Sequence, residues 1–402
     1  MSEQTAESFR LMVVAGEESG DAHAATLVGA LRERAPGARF EFFGSTGGRL
    51  REAGVESVVR EDDLAITGLA GIARALPRFW AAYRALKRAA LERRPDAVVL
   101  VDWPDFNLAL ARALHRRGLR VVYYISPQLW AWRSHRVRQV RRDVDLLLAI
   151  LPFEREWYAA RGVSHVEFVG HPFAGAAAPR AGRAEFCARH RLDPARPVVA
   201  LLPGSRRQEF ERILPLMLDA AARISRGVNP DVQFVVALAS RRSPEEVEAV
   251  AGRRDAGAGM PRVLRVAHDE AREALAASDA AAVCSGTATL EAALVATPLV
   301  VVYKESALNW HTLGRLIEVE HYGLVNLIAG ERVAPELMQD DFTGESLARE
   351  LLALLEPGRN AETRARLRET AARLGEGGAS LRAADALLRA VRGWKREAPA
   401  PR

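Results

Sequence analysis

Residues 279–304, DAAAVCSGTATLEAALVATPLVVVYK, concentrate side chains suited to phosphate and sugar. Ser285, Thr287 and Thr289 supply hydroxyl donors, Gly286 lets an anion approach the backbone, and Glu291 follows on the same short segment. The flanks indicate how such groups would be presented. Residues 281–284 and 299–303 are short apolar runs, and the stretch between them is helical in pattern until Thr297-Pro298 breaks it. Strand, tight turn, helix, strand is one crossover of a parallel sheet. The turn then lies at a helix start, where unpaired N–H groups and the helix dipole favour an anion. A carboxylate at Glu291 could accept from two sugar hydroxyls. Small residues also fill crossover turns for packing alone, and this stretch taken singly leaves the two readings level.

A second constellation follows the apolar run 97–101. Asp102 stands at the carboxyl end of that strand, where parallel sheets place ligands. Pro104 suits a first helical turn and Asp105 an N-terminal one. Asp105 is therefore structural in this reading, while Asp102 has no capping duty and is the candidate general base, ionised at neutral pH. The loop Gly16-Glu17-Glu18-Ser19-Gly20-Asp21 follows the strand run 11–15. It lacks the Gly-x-Gly-x-x-Gly fingerprint, and turn formation alone accounts for its glycines; Glu17 and Ser19 suit a hydroxyl-rich sugar, and Glu17 or Glu18 is the next choice of base. Gly204-Ser205-Arg206 joins the strand 197–202 to a helix. An arginine there fits a phosphate through paired charge-assisted bonds, against the plainer role of a solvated side chain. Trp130 and Trp132 stand beside a basic run from Arg133 to Arg142 and suit a sugar, an acyl chain or interdomain packing. His171, next to Pro172 at a hinge, reads as an interdomain hydrogen-bonding residue.

These pieces sit in a repeating strand–helix rhythm. Further strand runs lie at 40–43, 121–125, 144–150, 166–169, 232–238 and 262–266. Beyond Tyr303 the strands cease in this reading. Residues 309–319 look helical, 322–330 form an apolar loop, 347–355 and 364–392 are helical, and REAPAPR is a disordered tail. A chain of 402 residues is long for one core. The fold class is α/β, divided into an N-terminal doubly wound domain at 1–172, a second at 173–342, and C-terminal helices and tail at 343–402. Helix 71–91 sets Leu76, Phe79 and Trp80 among arginines, after Ile66 and Leu69 in the approach. This fits an interfacial helix, although the pattern alone favours ordinary packing on the sheet.

The formal charge of +6 favours acidic partners such as phosphates or anionic lipid heads, and no aromatic-interleaved basic motif points to nucleic acid. Two distant cysteines, Cys187 and Cys284, in apolar contexts imply neither a disulfide framework nor a metal site. The polar start MSEQTAESFR is too short for a signal peptide, and no apolar run reaches membrane-spanning length, so a cytoplasmic protein is expected.

The turn at 285–291 resembles the nucleotide-sugar site of GT-B glycosyltransferases. Six stretches together resemble the lipid-A-disaccharide synthase family: GEESGD at 16–21, VDWPDFN at 101–107, ISPQLWAWR at 125–133, LLPGSR at 201–206, SGTATLEAAL at 285–294 and VNLIAGERVAPELMQ at 325–339. They stand in the family's order and span residues 11 to about 390. The resemblance implies a GT-B fold, two Rossmann-like domains facing a cleft. It implies transfer of 2,3-diacylglucosamine from UDP-2,3-diacylglucosamine to 2,3-diacylglucosamine 1-phosphate (lipid X), giving lipid A disaccharide 1-phosphate and UDP. No cofactor or metal is expected. Asp102 matches the family's catalytic base. Gly204, Ser205, Arg206, Ser285, Gly286, Thr287, Thr289, Glu291 and Asn326 match UDP-binding positions, and Glu17 and Ser19 the sugar-facing loop. Peripheral attachment to the cytoplasmic face of the inner membrane, through Ile66, Leu69, Leu76, Phe79 and Trp80, is part of the implication, as is a homodimer through exchanged C-terminal helices.

The chain departs from the family pattern at Gly175, where an acid is frequent, at Val325, where proline is usual, and in the acidic segment RLIEVEHYG. An α-linked donor and a β-linked product fit one in-line displacement with inversion, with Arg206 and the 285–287 turn stabilising the leaving diphosphate. Two rivals remain at this level. One is another UDP-sugar enzyme of the same fold, a transferase or an epimerase, separable by assay with water-soluble acceptors. The other is a two-lobed binding protein, separable by UDP release.

Overall fold

The computed structural model describes residues 7–61, 69–175, 179–253, 259–306, 310 and 319–397, without the side chains of 69–75. Packing divides the chain into two compact units. One runs to Ala174 and takes up the chain again from Glu376; the other is Gly175–Gly375.

The first unit holds a parallel seven-stranded sheet. Its strands are β1 (Ser8–Val14), β2 (Arg39–Thr46), β3 (Glu56–Arg60), β4 (Ala97–Val101), β5 (Val121–Tyr124), β6 (Leu146–Ala149) and β7 (Val166–Phe168), in the order β3-β2-β1-β4-β5-β6-β7. Strand side chains alternate between faces. Leu11, Val13, Val99 and Val101 therefore join one core with Leu27 and Leu31, while Met12, Val14, Val98 and Leu100 join another with Leu108 and Leu114. Both faces are covered, which is why β4 reads as an unbroken apolar run.

The second unit repeats the plan. Strands β8 (Val198–Leu202), β9 (Gln233–Leu238), β10 (Leu264–His268), β11 (Ala280–Cys284), β12 (Leu299–Tyr303) and β13 (Glu336–Met338) form a sheet in the order β10-β9-β8-β11-β12-β13. Each sheet winds outward in both directions from an inner pair, β1/β4 in one and β8/β11 in the other. In such sheets the carboxyl ends of that inner pair open a crevice for ligand.

The C-terminal region divides between the units. Helices Gly344–Leu355 and Pro357–Ala372 belong to the second. Helix Ala379–Glu397 belongs to the first, where Ala383, Ala384, Leu387, Leu388 and Val391 join the core of Leu27 and Leu31. Arg392 pairs with Glu7 at 2.7 Å, and Arg382 donates to the Val169 carbonyl at 2.8 Å.

Three expectations are corrected. Strands do not cease after Tyr303, because β13 pairs with β12 through Val301–Glu336 and its neighbours. The apolar segment 322–330 is not a loop: Leu324–Ala329 is a helix, closed by Gly330 at φ 69°. Arg396 and Glu397, assigned to the tail, end a helix. The helical expectation at 309–319, apart from residues 310 and 319, and the first four residues of RLIEVEHYG, 315–318, lie outside the described residues.

Candidate active site

In the first unit, Asp102 follows β4, and the segment Gly16–Asp21, a short turn running into helix Glu18–Arg34, follows β1, so the two lie at the inner pair. The backbone there is strained. Asp102 and Trp103 both occupy the left-handed region, at φ 49° and 50°. For side-chain-bearing residues this costs about 1–3 kcal/mol each and persists only where neighbours hold it. Here the Asp102 N–H donates to the Tyr124 carbonyl at 3.1 Å. Its carbonyl accepts from the Tyr123 hydroxyl at 2.6 Å and from Asn107 Nδ2 at 2.8 Å. The Trp103 ring stacks on Phe106 with centroids 4.0 Å apart and lies so close to Gly16 that a Cβ there would stand 2.1 Å from it.

This setting tunes the Asp102 carboxyl. Burial, and then the negative charge of Glu17, push its pKa up to about 6. That is near the working range of a general base at neutral pH. Glu17 and Ser19 are exposed at the start of helix Glu18–Arg34. Asp21 is not available to a sugar: its buried carboxylate accepts from the N–H groups of Gly47 at 2.7 Å and Arg49 at 2.8 Å, closing the start of helix Gly48–Glu52. Asp105 lies in the first turn of helix Pro104–His115, as the sequence suggested. Its Oδ1 accepts from Arg133 at 3.0 Å and Arg136 at 2.6 Å.

The tryptophan-rich stretch is tied down from beneath. Trp130 Nε1 donates at 3.1 Å to Glu154, whose carboxyl, pushed up to about 7 by burial, also accepts from the Leu151 N–H at 3.0 Å. Trp130 is therefore structural, while Trp132 remains partly exposed with Arg133 against its ring at 4.2 Å. His171 is buried within the first unit and accepts from the Phe173 N–H at 3.1 Å; burial, with His23 nearby, lowers its pKa to about 4.

In the second unit, the Gly204-Ser205-Arg206 turn follows β8 and the Ser285-Gly286-Thr287 turn follows β11, again at the inner pair. Gly204, at φ 99°, packs so tightly that a Cβ would meet Glu209 Oε2 at 2.8 Å and Cys284 Sγ at 3.2 Å. Arg206 caps helix Arg207–Arg223, with its side chain 79% exposed and Nη1 on Glu209 Oε1 at 3.2 Å. Gly286, at φ 152°, has open space where a side chain would stand. At the start of helix Ala288–Leu294 the N–H groups of Thr289 and Leu290 donate to the Gly286 and Thr287 carbonyls, at 3.2 and 2.9 Å.

The hydroxyls nearby differ from expectation. Ser285 Oγ donates to the Tyr322 carbonyl at 2.8 Å and Thr289 Oγ1 to the Gly286 carbonyl at 2.7 Å. These two shape the turn, and Thr287 is the exposed one. Asn326 is likewise committed. Its Nδ2 donates to the Ala334 carbonyl and Glu336 Oε1, both at 2.8 Å, and its Oδ1 accepts from Val333 and Ala334 N–H, both at 2.9 Å. All its bonding capacity braces the segment before β13. Glu291 lines a cavity of about 340 Å3 with Leu238, Ala239, Asp269, Arg272 and Glu273. Burial raises its pKa, against the nearby Arg272, 3.7 Å away.

Sequence reasoning missed Tyr123 and Asn107 as supports of Asp102. Tyr123 belongs to an apolar strand run, and only the register of β5 beside β4 brings its hydroxyl there.

The family model for lipid-A-disaccharide synthetase matches residues 11–390. A lipid-A-disaccharide synthase of Solibacter usitatus is 46% identical over 355 residues, covering 88% of this chain and 89% of that protein. One from Geobacter sulfurreducens is 41% identical over 368 residues, covering 91% and 93%. Among solved structures, a calicheamicin glycosyltransferase superposes with a TM-score of 0.61 at 18% identity, covering 98% of this chain and all (100%) of that one. A UDP-GlcNAc 2-epimerase from Neisseria meningitidis bound to UDP-GlcNAc superposes with a TM-score of 0.60 at 11% identity, covering 95% and 100%. At such identities these structures speak to the fold, two Rossmann-like units of the GT-B type. The sequence relatives speak to the family, and on them this chain belongs to the lipid-A-disaccharide synthases.

Proposed function

We propose that Asp102 is the general base in transfer of 2,3-diacylglucosamine from its UDP donor to lipid X. Family membership makes the chain a glycosyltransferase of lipid A biosynthesis. The observation that carries the role of Asp102 is its place after β4 at the inner pair of the first sheet, on a braced left-handed backbone, with a pKa near 6. As the acceptor's 6-hydroxyl attacks C1 of the donor sugar, Asp102 takes its proton. The C1–O bond to the diphosphate breaks, and UDP leaves with inversion. The test is product analysis: donor and lipid X should give UDP and a β-1,6-linked disaccharide 1-phosphate in equal amounts. UDP release without disaccharide would overturn the reading.

The second unit supplies the donor site in this reading. Glu291 and its cavity take the ribose, while Gly204, Ser205, Arg206 and the Gly286–Thr287 amides take the diphosphate, where negative charge grows as the bond breaks. Ser285, Thr289 and Asn326 act by holding the turn and the adjoining segment in shape. Arg206→Ala is expected to weaken UDP binding by about 1.5–3 kcal/mol, the loss of one charged hydrogen bond. Calorimetry checks this, and unchanged affinity in a folded variant removes Arg206 from the site.

Membrane contact belongs to the same proposal. Helix Leu69–Arg93 exposes Leu76 at 63% and Trp80 at 61%, whereas Phe79 is half-buried, its ring 5.9 Å from Trp103. Ile66 and the side chain of Leu69 lie outside the described residues. No helix among the described residues is long and apolar enough to cross a membrane. Replacing Leu76 and Trp80 together by serine should release the protein from anionic vesicles with Tm unchanged. Retained binding would exclude this helix as the anchor. A dimer through helix Ala379–Glu397 would require its exchange, because its apolar face is already buried in its own unit. Light scattering that gives a monomer at every concentration would end that suggestion.

A further inference from the structure

The turn bearing Asp102 meets a basic loop of its own unit. Asp105 Oδ1 sits between two guanidinium groups, Arg133 Nη1 at 3.0 Å and Arg136 Nη1 at 2.6 Å. Pinning the loop would take one arginine; two arginines against one carboxylate leave a net positive charge. They also leave most of the donors of the Arg133 fork unused: among the described residues, its side chain makes this one hydrogen bond. The Arg133 backbone is held in the left-handed region, at φ 57°, and its guanidinium lies 4.2 Å from the centre of the Trp132 ring. The fork is thus set in place at a partly exposed surface. Arg136 is mostly buried, with a second, longer bond from Nε to Gln139 Oε1 at 3.5 Å. The group is close to the base. Tyr123, whose hydroxyl bonds the Asp102 carbonyl, feels the charges of Asp102, Arg136 and Asp105, though burial is the main influence on it.

Planar forks that converge on one oxygen and keep donors in reserve match a phosphate, which can take up several N–H groups at once. We propose that Arg133 and Arg136 bind the phosphate of the acceptor, with Asp105 holding the two forks in register. The assignment rests on the reaction proposed above, in which the acceptor carries a phosphate on the sugar end remote from the attacking hydroxyl. It gives the loop at 130–136 a role in choosing the acceptor.

The test compares lipid X with the same diacylglucosamine lacking its phosphate, using the full chain. Wild type should prefer the phosphorylated acceptor. In Arg133→Gln the KM for lipid X should rise about tenfold to a hundredfold, the size expected for a charged hydrogen bond, and the preference should shrink toward none. UDP affinity should match wild type. Should Arg133→Gln fail to fold, Arg133→Lys decides: it keeps the charge, loses the fork and must weaken the preference. An unchanged preference in a folded variant overturns the proposal. If that unchanged preference accompanies lost binding to phosphatidylglycerol vesicles, the arginines serve a lipid headgroup instead. A wild type that transfers to the dephosphorylated acceptor equally well also overturns it. A wild type that transfers to neither brings down the underlying reaction and this assignment with it.

Discussion

Asp102→Asn is expected to lower turnover by about 10²–10⁴, the usual loss when a general base is removed. Asparagine keeps the size and the hydrogen-bonding reach but cannot take the proton. UDP affinity should stay at the wild-type value, because the proposed diphosphate contacts lie in the other unit. Stability should not fall. An Asp whose folded pKa is raised to about 6, above its unfolded value, is more costly to ionise in the folded state. Its contribution to stability therefore improves as pH drops through 6 toward 4 and is least favourable at neutral pH. A neutral asparagine relieves that cost, so Tm at pH 7 should hold or rise. Lost turnover with a preserved or raised Tm separates a catalytic carboxylate from a structural one.

The same shift fixes a pH dependence. The base works only when ionised, so kcat/KM should fall about tenfold per unit below pH 6. Glu17 contributes to the raised value, so Glu17→Gln should move this acidic limb to lower pH. Wild-type turnover in Asp102→Asn would place the base elsewhere, with Glu17, exposed in the adjoining loop, first in line. Asp105 is a poorer candidate, since its carboxylate is held by Arg133 and Arg136.

What sequence could and could not reveal follows from where the signals lie. Strand β4 was legible to the residue, because a strand covered on both faces must be apolar throughout. Once β4 was placed, the position of Asp102 followed from its end. Strands β3 and β13 carry no such run. The first is largely exposed or half-buried, and the second is three residues long at a sheet edge. Residue type also misleads where a polar side chain serves its own backbone. Asn326, a UDP-binding position only by the family resemblance, has its amide engaged with Val333, Ala334 and Glu336. Ser285 and Thr289 stand in a turn shaped for an anion, but their hydroxyl hydrogens go to carbonyls of the protein. The Thr289 bond is local, three residues back, whereas the Ser285 bond reaches 37 residues along the chain and exists only in the folded protein. The same holds for Tyr123 and for the steric lock between Gly16 and Trp103.

That lock carries the second large effect. Gly16→Ala places a Cβ 2.1 Å from Trp103 Cδ2 and Cε3, well inside contact distance. The ring has little room to retreat, with Phe106 stacked at 4.0 Å and Phe79 at 5.9 Å. Relief must come from the Trp103 backbone, which sits in the left-handed region beside Asp102. If that backbone relaxes, the Asp102 carbonyl leaves Tyr123 and Asn107, and the carboxylate shifts with it. A displacement of about 1 Å at a reacting group can cost about 10²-fold in rate, and overpacking of this kind about 1–3 kcal/mol in stability. Gly16→Ala should therefore lower both turnover and Tm, even though alanine brings no chemistry of its own. Gly29→Ala is the control, since its Cβ would meet nothing within 4 Å on helix Glu18–Arg34. It should leave activity alone and hold or raise Tm through better helix propensity. The double variant Gly16→Ala/Trp103→Ala identifies the route. If the clash reaches Asp102 through the ring, removing the ring should restore part of the turnover lost in Gly16→Ala. A folded Gly16→Ala enzyme with wild-type turnover and Tm would show that the Asp102 backbone is not held by this contact.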